Sequence, residues 1–236
     1  MRLNKFLARV GIASRRKCDE LIKSGKVKIN GKIETNFSFQ VKNSDVIICD
    51  GKPINEIPNI EVYLLNKLKG YISTSNDPHG RKCVIDLIPS SNRLFTIGRL
   101  DRDTTGAILV TNDGELANKL MHPRNKIERV YIVTTKVDIP KSKYQMLKKG
   151  LKLNDGLLAY GDLTRLYNKA GLIYWEIVLR EGRNHEVKRI FKALNSKVIN
   201  LHRFSFAGLN VNNLLPGKYK KLKKRDVIKL SEKYFK

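Results

Sequence analysis

Strand-like apolar runs follow one another after residue 61 without the regular alternation of strand and helix that a parallel α/β fold needs. Apolar patterns predict strands near 61–66, 94–99, 107–111, 129–137 and 173–180. Helical spacing predicts helices near 114–121, 140–149 and 184–194. We therefore expect an α+β fold, with a mixed or antiparallel sheet and flanking helices, rather than a doubly wound sheet.

The first fifty residues are typical of a separate helix–helix–strand module. Apolar residues at helical spacing predict a short helix over 3–10, and Ser14 is a suitable N-cap for a second helix over 15–24. Residues 27–29 then alternate in polarity before Asn30-Gly31, a strong hairpin signal.

A segment with two prolines and little periodicity, 52–60, predicts a linker. The 236 residues therefore divide into a small domain, 1–55, and a medium-sized domain, 60–236.

The charge of the chain is strongly unbalanced. Lys and Arg number 47 against 22 Asp and Glu, a formal net charge of +25. A coding bias towards lysine explains part of this surplus but not the shortage of acids. A basic surface gains free energy by releasing counterions from phosphates, so the balance favours a nucleic-acid partner over a membrane surface.

The cysteines and histidines point to no disulfide framework and no metal site. Cys18, Cys49 and Cys83 are scattered, and the four histidines have no metal-ligand spacing. The start of the chain does not resemble a signal peptide, and no apolar run is long enough to span a bilayer. We expect a soluble cytoplasmic protein without a metal or cofactor.

Three cations occupy the first turn of the second predicted helix. Arg15, Arg16 and Lys17 oppose the helix dipole there, at a cost of about 0.3–1 kcal/mol each. A docked phosphate would reverse that sign, and Arg9 could add to the patch. The remaining alternative is an ordinary solvated charged face.

The segment 98–106 is a glycine-flanked loop that presents Asp101 between two strands. A carboxylate on such a platform can serve as nucleophile or base when a cation keeps it ionised. The loop also fits the start of a calcium site, but the twelfth position is Asn112 rather than glutamate. A structural turn role for Asp101 fits the local pattern equally well.

Residues 2–8, 11–16 and 25–31 resemble an S4 RNA-binding domain. Segment 98–114 resembles the active-site motif of the small-subunit and large-subunit rRNA pseudouridine synthases, in which the aspartate after Arg-Leu is the catalytic residue; it corresponds to Asp101. Further segments that fit this family are 66–74, 77–81, 84–89, 120–123, 180–191, 198–208 and 214–219.

The resemblance implies a function and roles for several residues. The implied reaction is the isomerisation of uridine to pseudouridine in ribosomal RNA, and residues 114–118 favour the large-subunit branch. Tyr131 would stack on the target uracil, although packing within a strand is the ordinary role of such a tyrosine. Lys188 would pair with Asp101, with Arg189 as the other candidate.

Two positions depart from the family pattern, and other functions stay open. The family usually has Gln at Glu186 and often Arg at His185, which leaves the local hydrogen bonding undetermined. The alternatives are a non-catalytic S4-type ribosome-assembly protein and a tRNA-directed synthase; an enzyme needs Asp101, Tyr131 and a cation at 188 together. We expect a monomer that contacts ribosomal RNA through Arg9, Arg15, Arg16, Lys17, Arg99, Arg183 and Arg189.

Overall fold

The computed structural model describes residues 1–54 and 57–235, apart from the side chain of residue 231. The chain forms two compact units. The first comprises Met1–Glu61 with Ser90–Leu94 and Asn112–Gly114, and the second contains the rest. Both combine helices with strands, which confirms the predicted α+β class.

The first unit packs two short helices against a small antiparallel sheet of order β2-β1-β3-β4. Its core includes the fully buried Leu3, Leu7, Cys18, Ile22 and Val27. Its elements are α1 (Leu3–Arg9), α2 (Arg15–Lys23), β1 (Val27–Ile29), β2 (Lys32–Ile33), β3 (Ile47–Cys49) and β4 (Lys52–Pro53).

The predicted cap and turn of this unit are confirmed, whereas the linker begins later than expected. The Ser14 side chain accepts a hydrogen bond from the Lys17 backbone N–H at 3.3 Å. Asn30 and Gly31 both have positive φ, as a two-residue hairpin requires. The predicted linker 52–60 is wrong at its start, because Lys52–Pro53 pairs with β3 as an edge strand, where proline is tolerated. Asn55 and Glu56 of that segment lie outside the described residues.

The second unit is built on a nine-stranded mixed sheet of order β11-β12-β8-β13-β7-β5-β15, with β14 and β6 pairing to its side. Pairing is antiparallel except between β13 and β7. The strands and helices are β5 (Val62–Lys67), β6 (Phe95–Ile97), β7 (Thr105–Thr111), α3 (Gly114–Met121), β8 (Arg129–Thr135), α4 (Lys141–Lys149), β9 (Leu151–Lys152), β10 (Leu158–Ala159), β11 (Asp162–Lys169), β12 (Leu172–Leu179), α5 (Glu186–Ala193), β13 (Asn200–Phe206), β14 (Leu209–Asn210), β15 (Tyr219–Lys221) and α6 (Lys224–Tyr234).

The core of this unit fixes the helices against the sheet. Leu116 and Leu120 of α3 share a buried cluster with Leu64 and Leu109. Trp175 of β12 is fully buried and packs edge-on against Tyr144 of α4 and Phe191 of α5.

Several elements escaped sequence reasoning. β11 is exposed over most of its length, so it lacks the half-buried alternation that marks a strand. β13 carries a histidine and an arginine among its apolar residues, and α6 lies in a lysine-rich segment where we predicted no element. Within the described ranges, no helix is long and apolar enough to cross a membrane.

Candidate active site

Asp101 lies in the loop between β6 and β7, and a buried lysine supports the backbone of this loop. Lys67 at the end of β5 is fully buried, and its Nζ donates to the carbonyl oxygens of Leu68, Arg102 and Thr104 at 3.0, 3.2 and 2.8 Å. These bonds fix the backbone on the C-terminal side of Asp101. Burial lowers the pKa of Lys67 to about 8, against the opposing charge of nearby aspartates.

Two side chains, Lys188 and His185, form hydrogen bonds to the same oxygen of Asp101. Lys188 Nζ lies 2.7 Å from Oδ2, and His185 Nδ1 lies 2.9 Å from the same atom. Within the described part of the chain, Oδ1 has no hydrogen-bond partner. An ionised carboxylate only accepts hydrogen bonds, so the imidazole donates from Nδ1. The arrangement holds one oxygen and leaves the other available to a substrate.

The charge state of Asp101 follows from this contact. Burial by itself would raise the pKa of the carboxyl group. The hydrogen bond and charge of Lys188, with a further contribution from His185, outweigh burial and hold the pKa below its ordinary value. Asp101 is therefore ionised at neutral pH.

The start of α5 determines how these donors reach the loop. The predicted helix 184–194 begins two residues later, at Glu186, because His185 has a left-handed backbone with φ of 50°. The Glu186 side chain is buried and accepts a hydrogen bond from the Arg183 backbone N–H at 3.0 Å. Burial raises the pKa of Glu186, and its hydrogen bond ties the start of α5 to the preceding loop.

A cleft of about 570 Å³ opens beside Asp101. Its volume lies within the range of about 300–1,000 Å³ usual for ligand pockets. Tyr131 of β8 lines it and is 8% exposed, opposite Ile177 of β12 and Arg203 of β13 in the sheet register. The structure therefore brings Asp101, Tyr131 and Lys188, the three predicted catalytic residues, to one cleft.

The buried Arg203 and the half-buried Arg129 pack against one aromatic ring in the wall of the same cleft. The Arg203 and Arg129 guanidinium groups lie 4.8 and 5.3 Å from the centroid of Phe206. Arg203 donates from Nε to the Ala107 carbonyl at 2.6 Å, and its buried Nη2 has no partner among the described residues. Burial lowers the pKa of Arg129. The cleft wall is therefore positively charged.

The remaining predicted cations occupy different settings. Arg99 is exposed at the cleft, and Arg183 lines it while donating to the Leu158 carbonyl at 2.8 Å. Arg189 pairs with Asp155, so of the two candidates for the partner of Asp101 the structure selects Lys188.

The predicted cations of the first unit are all exposed. Arg9 lies in the last turn of α1, and Arg15 and Arg16 lie in the first turn of α2. Lys17 forms an exposed ion pair with Glu20 at 2.6 Å, which leaves Arg9, Arg15 and Arg16 without an ion-pair partner among the described residues.

Sequence reasoning missed several side chains around Asp101, among them His185, Arg203 and Lys67. His185 lies three residues before Lys188 within the predicted helix 184–194, where that spacing places side chains side by side and could have indicated their shared target. Arg203 lies two residues from the buried Leu201 and from the buried Ser205, so the two-residue period of a strand could have placed all three on the inner face. The interior position of Lys67 had a weaker signal, its place at the end of an otherwise apolar strand.

Comparison with known proteins agrees with this geometry. Residues 61–193 match the family model described as RNA pseudouridylate synthase, and residues 1–47 match the S4 domain. The chain therefore belongs to the RNA pseudouridylate synthase family, enzymes that isomerise uridine to pseudouridine, and it carries an S4 domain at its N-terminal end. Both family expectations from the sequence are confirmed.

Relatives resemble the chain over nearly its whole length. A Bacillus subtilis protein named ribosomal large subunit pseudouridine synthase B is 40% identical, covering 97% of this chain and 95% of the relative. An Aquifex aeolicus protein named an uncharacterized RNA pseudouridine synthase is 36% identical, covering 98% and 93%. A crystal structure of a pseudouridylate synthase superposes with a TM-score of 0.70 at 28% identity, covering 98% of this chain and 99% of that one.

Proposed function

We propose that this enzyme converts a specific uridine of large-subunit ribosomal RNA to pseudouridine. The names of its relatives from Bacillus subtilis and Pseudomonas aeruginosa support the large subunit as the target. The S4 domain and the net charge of +25 support a structured RNA as the substrate. We further propose domains at 1–55 and 60–236, and a monomer that acts in the cytoplasm.

The contact between Asp101 and Lys188 carries this proposal. In the reaction, the bond from ribose C1′ to uracil N1 breaks and a bond from C1′ to C5 forms. The proton on C5 is released, and N1 ends up protonated, so atoms balance without an oxidant or reductant. Asp101 Oδ1 is the atom we assign to the nucleoside, because Oδ2 is occupied by Lys188 and His185.

Tyr131 and Lys188 complete the proposed catalytic group. The nearly buried ring of Tyr131 forms a face on which an everted uracil can stack, and its hydroxyl group is a candidate for moving the C5 proton. Lys188 keeps Asp101 ionised and holds its orientation. Removing a base from its stack costs a few kcal/mol, which backbone contacts must offset.

We assign those backbone contacts to the predicted RNA-binding cations. Arg99 at the cleft and Arg183 in its lining are placed to meet phosphates beside the target nucleotide. The cations of the first unit, Arg9, Arg15, Arg16 and Lys17, are proposed to bind a neighbouring part of the RNA. Arg189 would contribute only after its pairing with Asp155 is broken.

The test is a map of pseudouridine in ribosomal RNA from cells with and without the gene. We expect one or a few large-subunit positions to disappear on deletion, to return with the wild-type gene, and to stay absent with Asp101→Asn. Asp103→Asn is the matched control, because Asp103 is exposed in the same loop and should restore the modification.

Other outcomes would contradict the proposal. An unchanged map would favour the non-catalytic assembly protein, and a change confined to transfer RNA would favour the tRNA-directed synthase. Restoration by Asp101→Asn would remove Asp101 from the chemistry.

A further inference from the structure

Helix α4 carries a row of lysines that no acidic residue of the helix balances. Residues 141–152 contain five lysines and no acidic residue. Lys141 stands in the first turn of α4, where a positive charge opposes the helix dipole, and that end has no side-chain cap. Lys148 and Lys149 stand in the last turn, where positive charge is favourable, so only Lys141 costs the helix free energy. A binding role explains five lysines without a balancing acid better than folding does.

The lysines of α4 form one surface beside β11. Lys141, Lys148 and Lys149 recur at seven and eight residues, which places them on one side of a helix, and all three are exposed. With Tyr144 and Gln145 they line a shallow cleft of about 550 Å³ against Leu163. We call these three lysines the lysine stripe.

The lysine stripe keeps its charge available. Its only ion pair among the described residues joins Lys148 to Asp162 at 3.5 Å, with both side chains substantially exposed. Exposed pairs of this kind contribute about 0–1 kcal/mol, so a phosphate can displace Asp162.

An exposed aromatic ring connects the lysine stripe to the active-site cleft. Tyr160 is 50% exposed and lies against Gly150 at the end of α4, where even a methyl group at 150 would come within 3.0 Å of the ring. Two residues earlier, the Leu158 carbonyl accepts a hydrogen bond from Arg183, which lines the cleft. The path from the cleft therefore runs through Leu158 and Tyr160 to the stripe.

We propose that Tyr160 and the lysine stripe bind the RNA strand that flanks the target uridine; this rests on the proposed function. The two residues from Leu158 to Tyr160, in strand geometry, and the seven from Lys141 to Lys148, in helix geometry, together span up to about 17 Å. That length holds about five stacked nucleotides at roughly 3.4 Å each. Tyr160 supplies a stacking face for an unpaired base, and the lysines bind the phosphates that follow.

The experiment measures binding of the full-length chain to in vitro transcribed large-subunit rRNA at several salt concentrations. Lys148→Gln with Lys149→Gln should weaken binding about tenfold and reduce the slope of log affinity against log salt by about 1.5. Lys169→Gln with Lys197→Gln is the matched control, since it removes the same charge from exposed positions outside the surface and should change binding less than twofold.

The tyrosine is tested separately from charge. Tyr160→Leu should weaken binding about tenfold, whereas Tyr160→Phe keeps the ring and should stay within twofold of wild type. The single-turnover rate constant for pseudouridine formation at saturating RNA should be unchanged in all these variants.

The inference would be overturned if the stripe and Tyr160→Leu variants lost no more RNA-binding affinity than the lysine control. Unchanged binding to naked RNA, with activity lost only on particles that contain ribosomal proteins, would assign the surface to a protein partner and also overturn it. Failure of the proposed function is a different result, because the wild-type chain would then form no pseudouridine in large-subunit rRNA.

Discussion

At the scale of single residues, the carboxyl group of Asp101 depends on Lys188 for its charge. Its pKa is lowered in the fold although burial acts to raise it. The ionised form therefore contributes stability above the pKa of an unfolded aspartate, about 3.9, and this contribution is lost as pH falls through the folded pKa. For the same reason, activity should persist into mildly acidic solution.

We expect Lys188→Met to move the acid limb of activity to higher pH. Without the ammonium group, burial dominates and the pKa of Asp101 rises, so the variant loses activity at a pH where wild type is active. The measurement is a pH profile of the single-turnover rate constant. Lys192→Met, at an exposed position one turn further along α5, is the control and should keep the wild-type profile. Identical acid limbs for Lys188→Met and wild type would contradict this account.

Lys67 gives a pH dependence of the same sign, but in an alkaline range. Its pKa is lowered by burial to about 8 from 10.5, so the fold disfavours the charged form. The free energy of unfolding of wild type, relative to Lys67→Met, should therefore rise between about pH 8 and 10.5, where the unfolded chain still binds the proton. Urea denaturation at a series of pH values measures it, with the exposed Lys69→Met as control. A constant difference across that range would be inconsistent with the lowered pKa.

At the scale of secondary-structure elements, the parallel pairing of β7 and β13 requires glycine at 106. A Cβ there would lie 2.2 Å from the Arg203 carbonyl oxygen, and φ is +106°. Gly106→Ala should destabilise the second unit by at least about 2 kcal/mol through overpacking and backbone strain. Denaturant melts measure the loss. Gly114→Ala adds the same methyl group where nothing lies within 4 Å and should change stability by less than about 1 kcal/mol. Equal effects of the two changes would show that the close approach at 106 is relieved without cost.

At the scale of the whole molecule, the positive charge should make RNA binding strongly dependent on salt. Arg15→Ala with Arg16→Ala should lower the slope of log affinity against log salt by about 1.5, since each lost phosphate contact reduces it by roughly 0.7–0.9. The slope is obtained by measuring binding to the rRNA transcript between about 50 and 200 mM salt, roughly a fourfold range. Lys28→Ala with Lys32→Ala removes equal charge from exposed positions of the β1–β2 hairpin. A slope that falls equally in both pairs would mean that α2 has no special role.

The amino-acid sequence by itself determined the α+β class, both family memberships, and most of the longer helices and strands. These features rest on local signals: apolar periodicity, a capping serine, an Asn-Gly turn and a motif around Asp101. Each of these signals consists of residues that are close together in the chain, so it can be interpreted without knowledge of the fold.

Tertiary structure alone decided which groups surround Asp101. Lys188 and His185 are 87 and 84 residues away in sequence, and the choice of Lys188 over Arg189 depends on the neighbouring Asp155. Arg203 lines the cleft from β13. The polar residues of this strand interrupt its apolar pattern, so the sequence did not predict it. The physical reason is that hydrogen bonds, ion pairs and burial depend on distances across the sheet, which periodicity along the chain does not contain.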